Sequence, residues 1–348
     1  MRLKQFIGAV LAGLAITAAA TASAEELVGG RLVYELLVGG LKQQLTPQPA
    51  QARAPAAAQR PNMPGEWRTV GAAEPSPASC EVLRWDRKGF NKPTLGITRP
   101  GNYCLDQDYE FDCSPFAHGC SGELIEIRAN DVDVDFRGHT LRVSGTRGYG
   151  GVRGYGRNIR IHNGAIDGVG LGILLSAKGS SPLSAYPAMP VDADARFVDT
   201  GFVVESMRFR NVHIAVMVAG SGNQIRNNQI DALLENRVDA EGQPATALET
   251  NPQFAMLSYG PAARIEGNTL RLATRTRGLA SYALYLRSGD ATVVRNNNVR
   301  IDGARAGSIG VGLSNSADVV LQSNTMDAEK TVDSDGRSSY RTGASSSR

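Results

Sequence analysis

The chain has 348 residues, with 37 Lys and Arg set against 34 Asp and Glu. A formal charge of +3 gives no concentrated basic field, so nucleic-acid binding is not expected. The 39 glycines and an aromatic share of only 6% point to many turns between short elements rather than to one large aromatic core.

Residues 1–24 read as a secretory signal peptide. Arg2 and Lys4 give a positive start, Phe6 to Ala20 an apolar run, and Ala22-Ser23-Ala24 a small-residue cleavage site before Glu25. The chain is therefore expected to be exported, to the periplasm or the cell exterior, with no stable membrane span after cleavage. Residues 25–45 carry Val33, Leu36, Leu37 and Leu41 at helical spacing and predict a short helix, weakened by Gly29-Gly30 and Gly39-Gly40. Residues 46–79 are rich in Ala, Pro and Gln and read as a linker. Four cysteines follow, Cys80, Cys104, Cys113 and Cys120. In an exported protein an even count argues for disulfides, and the favoured pairing is Cys80–Cys104 with Cys113–Cys120. A zinc site is the rival, with His118 as an extra ligand, but the spacing lacks C-x-x-C pairs.

Residues 80–328 are expected to form one domain, and within it a six-residue pattern recurs from 136 to 326. It runs apolar, polar, any, usually Asn, any, apolar. The copies are Phe136–Leu141, Ile161–Ile166, Val204–Phe209, Ile225–Ile230, Ile265–Leu270, Val294–Val299 and Leu321–Met326, with starts 21 to 43 residues apart. Each copy is a short strand running into a sharp turn. None buries its apolar face alone, so stacking into a solenoid is predicted. Asn228, Asn268, Asn297 and Asn324 then fall in one column and are expected to form a structural hydrogen-bonded ladder. A second strand recurs in each coil, as in Ile214 to Val218, Phe254 to Ser258, Tyr282 to Leu286 and Ile309 to Leu313. Two coils are long because of insertions at 177–200 and 232–252, and residues 329–348 are Ser-rich and expected to be disordered.

These copies, with the lead-in GITRPGNYCL at 96–105 and ANDVDVDFRGHTL at 129–141, resemble the coils of right-handed parallel β-helix proteins of the pectate-lyase-like superfamily. The resemblance covers roughly residues 95–328 and implies an all-β, right-handed parallel β-helix of about seven coils. It implies little about activity, because the fold hosts lyases, hydrolases, epimerases and binding proteins.

Stacking lets charge be read by column. The second motif position gives Arg137, His162, Glu205, Arg226, Glu266, Arg295 and Gln322. The position after the motif gives Arg142, Asp167, Arg210, Asp231, Arg271, Arg300 and Asp327. Both largely alternate in sign, as structural ladders do. Asp131, Asp133 and Asp135 alternate with valines and are expected on one strand face. Arg160 is placed beside Asp135, which favours a solvated face over a calcium site. His162 and His213 look isolated, and no nucleophile motif appears. No metal or cofactor is expected, the oligomeric state is open, and catalysis is undecided.

The leading expectation is therefore a binder of an extended glycan. Polysaccharide cleavage or epimerisation, and a structural or adhesive role, are the alternatives. Counting back from each motif puts Met217, Leu257, Leu286 and Leu313 inward and Val216, Met256, Tyr285 and Gly312 outward, with Phe254 outward two residues before Met256. An outward apolar strip must be covered or used. The predicted ligand site is a groove with Phe254, Met256 and Tyr285 on its floor and Arg287 near its rim, walled by the two insertions.

Overall fold

The structure is a computed structural model. It describes residues 79–85, 94–112, 122–144, 149–177, 198–234, 253–274, 280–303 and 307–343. The expected signal peptide, the 25–45 helix, nearly all of the 46–79 linker, Cys113, Cys120 and most of both insertions lie outside them. No helix among the described residues is long and apolar enough to cross a membrane.

The described chain is a parallel β-helix. Every strand pairing in it is parallel, and the pairings join coil to coil rather than neighbours in sequence. One sheet has nine strands, from Leu95–Ile97 to Lys330–Ser334, so the chain winds through nine layers. The other has sixteen strands and bends into two arms. In the coil from 253 to 274, Gln253–Tyr259 lies in the first sheet, and Arg264–Glu266 and Thr269–Thr274 lie in the two arms. Ile159–Asp167 and Val203–Val212 run through the bend as single strands.

The repeat explains this. Val134, Ile161, Val204, Ile225, Ile265, Val294 and Leu321 stack partner on partner along one arm. Leu141, Ile166, Phe209, Ile230, Leu270, Val299 and Met326 stack along the other. All fourteen are buried, so the first and last apolar positions of the motif form two continuous columns of the core. Between them the chain turns through a left-handed residue at the third motif position: Asn163, Ser206, Asn227, Gly267, Asn296 and Ser323 have φ between 51° and 64°. The fourth residue points inward. Asn228, Asn268, Asn297 and Asn324 are buried, and each passes hydrogen bonds to the next. The amide of Asn228 donates to Oδ1 of Asn268 at 3.0 Å, that of Asn268 to Asn297 at 2.9 Å, and that of Asn297 to Asn324 at 3.0 Å.

The first copy departs from the expected register. Val134, not Phe136, is the partner of Ile161, while Thr140 still pairs with Ala165. Two extra residues are thus absorbed at this corner, where Arg137 and Gly138 have φ of 51° and 83°. The tail is a second correction. Lys330–Ser334 pairs with Ser308–Ser314, and Tyr340–Thr342 pairs with Val319–Gln322. Residues through 343 therefore extend the solenoid by a layer instead of being disordered.

At the opposite end Glu81–Val82 pairs with Gly101–Cys104, and Cys80 is bonded to Cys104. Trp85 packs on Tyr109 at 4.5 Å and on Phe111 at 5.5 Å between ring centroids. The bond ties the chain at Cys80 to the strand Gly101–Cys104. Mass spectrometry of unreduced peptides should recover a Cys80–Cys104 cross-link, and free thiols at both positions in protein from an oxidising compartment would overturn it.

Candidate functional site

Two faces carry the chemistry. The first is the outer face of the nine-stranded sheet, where the sequence placed its groove. Leu257 pairs with Tyr285 and Tyr285 with Gly312; Phe254 pairs with Tyr282 and Tyr282 with Ile309; Tyr259 pairs with Arg287. None of these side chains belongs to the core cluster. Phe254, Tyr285 and Arg287 therefore share the outer face, each partly exposed.

Met256 does not join them. It pairs with Leu284 and Val216 and lies in the core with no exposed surface. Leu257 and Met217, expected inward, are the outer residues. They are nonetheless buried, at 1% and 0% exposed, so the strip is closed at those two positions and accessible around Phe254 and Tyr285. Two features reversed the parity. Ala255 and Met256 both face the core, as do Ala215 with Val216 and Ala283 with Leu284, so the alternation breaks once in each strand. The connection from Arg287 to Val293 is also one residue longer than that from Tyr259 to Arg264, although both ends pair directly. A one-residue shift moves every side chain to the other face.

The accessible patch is aromatic. The rings of Phe254 and Tyr285 stack with centroids 6.1 Å apart and planes 17° from parallel, and Tyr282 meets Tyr285 edge-on at 5.0 Å. Gly312 makes room for this: a Cβ there would come within 2.5 Å of Tyr282 and 2.6 Å of Tyr285. The Arg287 guanidinium sits 5.5 Å above the Tyr259 ring, a cation–π contact that holds a charge beside the platform. The Tyr282 hydroxyl donates to Asp333 at 3.3 Å. Burial pushes the Tyr285 phenol above its ordinary pKa, against a hydrogen bond with Ser314 and the charge of Arg287. Burial and Asp333 push that of Tyr282 up as well. Both phenols stay protonated at neutral pH. Tyr282 and Tyr259 were not among the expected site residues; their stacking on Tyr285 and Arg287 became visible only with the true register.

The second face is the outside of the bent sheet, where the expected charge ladder is present with its early members changed. Asp135, not Arg137, is the partner of His162, and Asp133 is the partner of Arg160. Glu205 receives Arg160 Nε at 2.7 Å and also binds Arg226. Arg295 donates to Glu266 at 2.8 Å. Burial alone would raise the Glu205 carboxyl, but the hydrogen bonds from Arg226 and Arg160 hold it below its ordinary value. Arg271 and Arg300, like charges on neighbouring strands, are both bound by Asp302.

His162, taken as isolated, has an acid partner: its Nε2 lies 2.7 Å from Asp133 Oδ1. The signal was in the sequence as Asp133 two residues before Asp135, but the two-residue expansion at 136–139 hid it. Asp131 leaves the shared face, because its φ of 56° turns it out of the strand, and it accepts from Asn158. Asp135 accepts from Arg137 and Asn163. His162 thus lies between Asp133 and Asp135, with its Nδ1 3.9 Å from Asp135, while Asp131 is engaged apart from them, and no cluster of three or more metal-ligating side chains occurs among the described residues.

The fold and these faces define a parallel β-helix with an aromatic platform on one sheet and a charged ladder on the other. Comparison with protein-family models finds no match for this sequence, and comparison with curated proteins finds none either.

Proposed function

We propose that this is an exported β-helix protein of the pectate-lyase-like superfamily that binds an extended glycan on the outer face of its nine-stranded sheet. The observation that carries the reading is the stacked, partly exposed pair of Phe254 and Tyr285. Flat rings accept the apolar C–H faces of sugars, while the phenols and Arg287 meet hydroxyl or anionic groups at the edge. Successive layers lie about 4.8 Å apart, so a ligand running along the solenoid axis meets side chains from several coils. The signal-like residues 1–24 and the Cys80–Cys104 bond support export.

A glycan array on the mature protein tests the reading. At least one extended glycan should be retained, and Tyr285→Ala should weaken it about tenfold, as one lost aromatic contact does, with little change in melting temperature. Unchanged binding would refute the site.

One observation favours catalysis as a second reading, namely the His162–Asp133 pair. A carboxylate beside an imidazole orients it as a proton acceptor. Burial would raise the Asp133 carboxyl, but the hydrogen bonds and charges of His162 and Arg160 hold it below its ordinary value, so it remains ionised. Release of unsaturated or reducing sugar by wild-type protein, lost in His162→Ala, would establish this reading. Product formation untouched by that substitution would place any chemistry elsewhere.

A further inference from the structure

Beside the bend of the sixteen-stranded sheet lies a groove of about 320 Å³, lined in part by Arg142, Arg208, Arg210 and Asp167. It lies on a different sheet from the aromatic platform. Its room comes from small neighbours. Arg208 pairs across the strands with Ala165 and Gln229, and Ala165 pairs with Thr140. The adjoining Gly164 cannot be larger, because a Cβ there would come within 2.1 Å of Phe136. One long cationic side chain therefore stands in a column of short neutral ones, with open volume beside it.

The charges lining this groove are not balanced within it. Asp167 is held by Arg142 at 3.3 Å and accepts from Asn211 at 2.9 Å. Arg208 and Arg210 are exposed and have no ion-pair partner among the described residues. Arg210 has Asp167 and Asp231 as its two strand partners, and neither forms an ion pair with it. Among the described residues of the same sheet, Arg160, Arg226, Arg271, Arg295 and Arg300 reach a carboxylate, while the exposed Arg264 does not. Three arginines against one aspartate leave the lining with a surplus of two positive charges. Arg208 and Arg210 are two residues apart on one strand, so both point outward about 7 Å apart. That spacing lets two guanidinium forks close on one oxyanion, each presenting paired N–H donors. Thr140, Asn163, Ser206 and Gln229 also line the groove and supply neutral donors and acceptors for hydroxyl groups.

We propose that this groove is an anion-binding site, separate from the aromatic platform, which takes an oxyanion carried on a hydroxyl-rich ligand. The shared chemistry is a phosphate, sulfate or carboxylate group held by Arg208 and Arg210, and the arms of the test separate these sources. The full mature chain is titrated at low ionic strength with inorganic phosphate, sulfate and glucuronate, each followed by calorimetry. At least one should bind saturably and more weakly as salt rises. The tightest of the three identifies the oxyanion. Arg208→Ala/Arg210→Ala should weaken that binding at least tenfold while the melting temperature stays near wild type, because neither side chain supports a neighbour. Asp167→Asn removes the opposing charge and should tighten binding several-fold. Absence of saturable binding by all three anions, or binding insensitive to the double substitution, would overturn the site. Weaker binding in Asp167→Asn would overturn the role given to the charge surplus. Glycan retention by the aromatic platform is read separately through Tyr285→Ala, so failure of one site leaves the other standing.

Discussion

Asn268→Ala should lower the free energy of unfolding by about 3–4 kcal/mol, from several buried groups left without partners at a typical 1–3 kcal/mol each. The Asn268 side chain is fully buried and serves both neighbouring coils. Its Oδ1 accepts from the backbone and the side-chain amide of Asn228, both at 3.0 Å. Its Nδ2 donates to the Ile225 carbonyl and to Asn297 Oδ1, both at 2.9 Å. Alanine removes all four contacts at once and leaves their partners buried. Thr269→Ala, one residue on and exposed, should change stability by less than about 0.5 kcal/mol. Urea unfolding followed by circular dichroism reads both. Equal midpoints for the two variants would remove the ladder from the account of what holds the coils in register.

Glu123→Ala should cost about as much, roughly 3–5 kcal/mol, the usual penalty for leaving a buried charge without its partner. Arg153 is only 1% exposed although it lies on the outer face of the nine-stranded sheet. Its Nε is 2.9 Å from Glu123 Oε1, and its Nη1 donates to the Tyr155 hydroxyl at 3.1 Å. Burial raises the pKa of the Glu123 carboxyl, and the charge of Arg153 opposes the rise. The pair exists because each charge tolerates burial only beside the other. It also fixes the order of charge beside an otherwise apolar strip: Leu174, Met217 and Leu257 follow Arg153 in the same column. Replacing both members, Glu123→Leu with Arg153→Met, should recover most of the loss, since apolar groups of similar volume often substitute for a buried pair without net cost. A double variant less stable than Glu123→Ala would show that the pair does more than neutralise itself.

The sequence by itself determined the solenoid, the core columns of the bent sheet from Ile161 on, and the asparagine ladder. Equivalent positions in stacked coils meet the same environment, so a six-residue pattern is enough to place Ile161, Val204, Ile225 and Ile265 in one core column. The same reasoning placed the asparagines in a ladder and Arg142, Asp167 and Arg210 in one charged column. Only the tertiary structure decided the sites. Phe254, Tyr285 and Arg287 proved to share a face, but Met256 went to the core because two consecutive residues point inward there and a later turn is one residue longer. His162 met Asp133 because two residues are taken up at 136–139. The Ser-rich segment after 329 lacks the motif, yet it adds a layer by pairing its backbone with the exposed edge of the last coil. The arginine groove depends on the small size of Gly164 and Ala165 in the coil beside Arg208. Core columns survive such local shifts because each coil re-enters register through its own apolar residues. Outer-face sites do not survive them, because a single residue gained in a turn exchanges the inward and outward side chains of the strand that follows.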